Sequence, residues 1–84
     1  MDKNEIGKRI KEIRVNLGLS MTKFGIKIDE ENPVKSGVIY NWENGKQLPN
    51  KERTKKIAEL GNITLNELLY GFKITYDEIK REID

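Results

Sequence analysis

The 84 residues make one small domain, which buries only about 60–65% of its unfolded surface and so keeps a thin stability margin. Without cysteine or histidine, the chain lacks thiolate metal ligands, disulfides and the commonest general base, which argues against an enzyme and against a metal or other cofactor, and fits a reducing cytoplasm. The net charge of +2 (16 basic minus 14 acidic residues) excludes little, but no apolar run approaches the roughly 20 residues of a membrane span, and "MDKNEIGKRI" lacks the apolar core of a signal peptide.

Apolar residues recur at helical spacing along most of the chain. Ile6, Ile10, Ile13 and Leu17 step by four, three and four, which predicts a first helix over about 3–17. Asp2 and Glu5 form a candidate capping pair, and Gly18 supplies a stop. Lys8, Arg9, Lys11, Glu12 and Arg14 fall on the outer face.

Ser20 is a good N-cap for a second helix over 21–28, with Met21, Phe24 and Ile28 on its apolar side. Gly25 lies inside that helix at a cost of about 1 kcal/mol relative to alanine, so the spacing predicts a close helix crossing there. "DEENPV" is a loop, because Pro33 disfavours a helical Asn32.

Lys35 or Ser36 starts a third helix, with Ser36 a candidate N-cap and Gly45 the stop. Val38, Ile39 and Trp42 face inward on it. Ser36, Gly37, Tyr40, Asn41 and Asn44 face elsewhere.

Asn50 caps a fourth helix with Ile57, Ala58 and Leu60 as its apolar positions, ended by "LGN" at 60–62. "TLNE" at 64–67 has capping-box spacing and opens a fifth, short helix carrying Leu65, Leu68 and Leu69, closed by Gly71. In the tail, 72–74 reads as extended. Tyr76, Ile79 and Ile83 then share one side of a last helix.

Charge is unevenly spread. Residues 35–56 hold six basic side chains against two acidic ones, whereas "DEEN" at 29–32 is acidic. The middle of the chain is therefore where a polyanion is expected to land.

Five helices in this order, the third bearing Ile39-x-x-Trp42-Glu43-x-Gly45, resemble the phage-repressor-like (Cro/repressor, XRE-type) helix-turn-helix family. "IGKRIKEIRVNLGLS", "MTKFGIKI", "VIYNWENGKQLPN" and "TKKIAELGNITLNELLYG" carry the resemblance, over about residues 4–71. Met21 stands where many members have glutamine, the loop before the third helix is longer than the family's minimal form, and Gly37 stands where others present a side chain.

The resemblance implies an all-α, five-helix lambda-repressor-like domain over 1–71, with 72–84 as a C-terminal extension for packing or dimerisation. It implies a sequence-specific DNA-binding transcriptional regulator, a repressor, whose third helix enters the major groove of double-stranded DNA, commonly as a homodimer. Carried over by position, Ser36, Gly37, Tyr40 and Asn41 contact bases. Lys35, Asn44, Lys46 and Lys51 contact phosphates, and Trp42 and Ile39 anchor the helix. No small-molecule substrate and no membrane is implied. Glu43 is expected to orient or cap nearby groups and to stay away from DNA.

The alternative is a protein-interaction module of the same fold, antitoxin-like or anti-repressor-like, with weak non-specific DNA binding and a protein partner on the acidic loop and the tail.

Overall fold

The computed structural model describes residues 2–71 as five helices: α1 (Lys3–Asn16), α2 (Met21–Ile28), α3 (Ser36–Glu43), α4 (Lys51–Leu60) and α5 (Leu65–Tyr70). Among the described residues there is no strand, and no helix is long and apolar enough to cross a membrane. The tail, with its expected extended piece and last helix, lies outside the described residues.

Local chemistry sets most of these boundaries. The Asp2 carboxylate accepts from the Asn4 and Glu5 backbone N–H groups. Glu5 does not complete the expected reciprocal pair and turns to Lys8 Nζ, 3.5 Å away. Ser20 accepts from Lys23 N–H, and Asn50 from Arg53 N–H. Thr64 and Glu67 form both bonds of the capping box. Such caps satisfy backbone donors that no helical carbonyl can reach, at about 0.5–2 kcal/mol each.

Helix ends are equally specified. After α1 the chain turns at Gly18, with Leu19 N–H donating to Arg14 O and Gly18 N–H to Val15 O. After α4 the same pair of bonds forms through Asn62, whose φ is 54°. Asn62, and not Gly61, therefore supplies the left-handed residue in "LGN".

One core joins all five helices. Ile6, Ile10 and Ile13 of α1 meet Phe24 and Ile28 of α2, Ile39 and Trp42 of α3, Ile57 and Ala58 of α4, and Leu68 of α5. Val34, at the end of the acidic loop, is also buried there.

Several sequence expectations need correction. Leu17, expected as the fourth member of the α1 stripe, is 43% exposed: as the C-cap of α1 it keeps helical backbone and the bond from its N–H to Ile13 O, but no described residue covers that end of the stripe. Arg9 and Arg14, expected on the outer face, fold inward: Arg9 Nη1 donates to Leu68 O, and Arg14 pairs with Glu43. The closest approach to Gly25 is made by a loop residue and not by a helix. A Cβ there would run into the carbonyl of Val34, so the loop ahead of α3 lies directly on α2, where Val34 N–H also donates to Gly25 O at 3.2 Å.

Candidate nucleic-acid interface

α3 is fixed from its buried side. Ile39 is fully buried and Trp42 nearly so, as their inward placement predicts. Truncating a buried side chain of this size leaves a cavity costing about 3–5 kcal/mol. Gly7 of α1 lets the end of α3 come close: a Cβ at Gly7 would collide with the Trp42 and Glu43 carbonyl oxygens.

Glu43 adds a polar clamp to this apolar one. Its Oε2 accepts from Arg14 Nε at 2.6 Å and its Oε1 from Arg14 Nη2 at 3.0 Å. The two side chains are 2% and 13% exposed. A third bond runs from Arg14 Nη1 to Leu19 O, tying the α1–α2 turn into the same knot. The Arg14 pKa is raised above its ordinary value, chiefly by the hydrogen bond to Glu43, with the carboxylate's charge adding to the rise and burial opposing it. Glu43 thus orients neighbouring groups, as expected, with α1 as its partner.

The opposite side of α3 is open. Ser36 and Gly37 are exposed, and a Cβ added at Gly37 would meet no atom within 4 Å. Tyr40 is 47% exposed and Asn41 is half-buried beside it. Lys35 is the N-cap and contributes no side-chain hydrogen bond, so the expectation that Ser36 caps α3 is corrected: Ser36 is its first helical residue. No acid stands in the first turn. Free backbone N–H groups, the helix dipole and Lys35 together make this end favourable to an anion.

At the other end, Gly45 has φ 70°, which only a residue without a Cβ adopts freely. Lys46 N–H then donates back to Asn41 O, and Gly45 N–H to Trp42 O. The reversal carries the Lys46 ammonium over the Tyr40 ring, 5.4 Å from its centroid. Asn44 folds onto the same turn, with Nδ2 donating to Tyr40 O at 2.8 Å, which uses one of its two amide hydrogens.

The structure therefore gathers Tyr40, Asn44 and Lys46 at the C-terminal end of α3, and sets Lys35, Ser36 and Gly37 at its N-terminal end. Lys51 stands apart, exposed at the start of α4 beside an apolar hollow of about 240 Å³ lined by Ile6, Leu48, Pro49 and Leu69. Arg53 and Lys56, from the basic stretch, line a separate hollow with Asp29 and Asn32 of the acidic loop. That loop is itself ordered by Asp29, whose Oδ1 accepts from Glu31 and Asn32 N–H. Among the described residues no cluster of acidic side chains fits a metal ion.

Sequence reasoning missed Arg14 and Gly7 as positioning residues. Their partners lie 29 or more positions away, so no local spacing signals them.

A family model described as a helix-turn-helix domain matches residues 7–74. No curated protein and no solved structure matches the chain. The match spans most of the five-helix unit, and the all-α architecture agrees with it. The chain belongs to the XRE-like helix-turn-helix family, which supports a role as a DNA-binding regulator.

Proposed function

We propose that this domain is a sequence-specific transcriptional repressor that binds double-stranded DNA as a homodimer, with α3 in the major groove. The observation that carries the reading is the two-sided character of α3. One side is locked by Ile39, Trp42 and the Arg14–Glu43 pair, and the other offers Ser36, Gly37 and Tyr40 to solvent, with half-buried Asn41 beside them. A rigid helix with a free polar face is what base reading requires.

In this reading the Asn41 carboxamide gives a donor and an acceptor to adenine, and Tyr40 packs on a thymine methyl. Gly37 lets the backbone approach closely, and Ser36 reaches a base edge. Lys35, Lys46 and Lys51 neutralise phosphates, and the remaining amide hydrogen of Asn44 donates to one. These contacts set register and contribute salt-dependent affinity. Two-fold symmetric half-sites would lie about one helical turn apart, roughly 34–36 Å.

An amide-resolved NMR titration with a duplex tests the assignment. Signals of Ser36, Gly37, Tyr40, Asn41 and Lys46 should shift together. Shifts confined to the acidic loop at 29–32 would contradict it and favour the protein-interaction reading.

A further inference from the structure

We infer that the groove between α1, α4 and α5 is the docking site of this chain's own segment 72–84, bound within the same molecule. The groove has a volume of about 400 Å³. Ile13, Leu17, Leu60 and Ile63 supply its apolar surface, with Arg9 and Glu67 at the polar edge. Leu17 is the odd member. Leucine at 43% exposure, beside half-buried Leu60 and Ile63, leaves an apolar strip uncovered by any described residue.

Three observations favour this occupant. First, Gly71 itself lines the groove, so the last described residue stands at its wall. Second, α5 ends with Gly71 in the left-handed conformation, φ 76°, with its N–H bonded to Glu67 O. Such a cap ends the helix at Gly71 and does not continue it along its axis. Arg9 holds this corner: its Nη1 donates to Leu68 O, and its guanidinium fills the space where a Cβ on Gly71 would stand. Third, the sequence that follows suits the groove. Tyr76, Ile79 and Ile83 step by three and four, a single apolar stripe, flanked by residues of both signs, as Arg9, Glu12 and Glu67 are at the groove.

Connectivity decides between the chain's own tail and that of a second copy. A segment attached at the groove's edge has an effective concentration in the millimolar range, whereas a second copy competes only at its bulk concentration. None of the groove residues is among those assigned to DNA, so the inference does not rest on the DNA-binding reading.

The test uses the full chain, which has no native cysteine, with Lys80→Cys carrying a nitroxide spin label. The label should broaden the amide signals of Asn16, Leu17 and Gly61 to the same extent at all protein concentrations. Adding Ile79→Asp keeps the tether but breaks the apolar stripe, and should reduce that broadening to the lower level of an undocked tether. Leu17→Asp should do the same from the groove side at Gly61. Broadening left unchanged in extent by both substitutions would come from tethering alone and overturns the inference. So does the absence of broadening, and so does broadening seen only between labelled and isotope-enriched copies.

Discussion

The Arg14 guanidinium grips the Glu43 carboxylate through two hydrogen bonds across 29 residues of sequence, and so fastens the end of α3 to α1. Removing one partner of such a buried pair leaves the other charge uncompensated, at about 3–5 kcal/mol. That is a large part of the stability of a domain this small. Arg14→Leu and Glu43→Leu should each lower the urea midpoint steeply, and the double variant should be more stable than the sum of the single losses implies. Simple additivity in a double-mutant cycle would show that the two groups are not coupled.

The same pair gives a pH expectation. A basic group whose pKa is raised on folding contributes stability that is fully present below its unfolded value and is lost only as pH rises through the folded one. For Arg14 the unfolded reference is the ordinary arginine value, which already lies well above pH 9. The Arg14–Glu43 coupling energy should therefore be the same at pH 7 and pH 9. A coupling that fades between them would contradict the direction of the Arg14 shift.

Gly7 and Gly37 should respond oppositely to alanine. At Gly7 a Cβ collides with backbone carbonyls of α3, which cannot swing aside, so Gly7→Ala should cost about 1–3 kcal/mol in chemical denaturation. At Gly37 the space is open and the residue is helical, so Gly37→Ala should stabilise by about 0.4–1 kcal/mol. In the proposed binding mode the same change should weaken DNA binding, because the added methyl would stand where the backbone is to approach the bases. A Gly37→Ala protein that is both stabler and equally tight would remove Gly37 from the contact surface.

How far the sequence carries depends on the range of each interaction. The caps at Asp2, Ser20, Asn50 and Thr64 act within three residues, and all were readable from local spacing. Trp42 was readable too, since the helical period places it with Ile39 on one side of α3. The features that were not legible join distant positions. Arg14 looks like any charged outer residue until Glu43 arrives, and Arg9 finds its carbonyl 59 residues away at Leu68. Val34, inside a polar loop, gave no periodic signal and is nevertheless core. Leu17 fitted the period, but no described residue covers that end of the stripe. At the candidate interface, spacing alone separated the inward from the outward residues of α3. The Lys46–Tyr40 contact needed the reversal at Gly45 to become visible.

Base contacts and phosphate contacts should separate in binding titrations. Asn41→Ala should cost about 1–3 kcal/mol on the preferred site and relax the base preference at one position. Lys46→Ala should weaken binding to every sequence about equally and lower the salt slope by about one. An Asn41→Ala protein with unchanged affinity and preference would take Asn41 out of base readout.

The most direct measurement is selection of bound duplexes from a random pool, followed by titrations of the selected and random sequences at several salt concentrations. The account predicts a two-fold symmetric motif bound at least about a thousandfold more tightly than random DNA. No enriched motif, with only weak and salt-sensitive binding, would contradict sequence readout by α3.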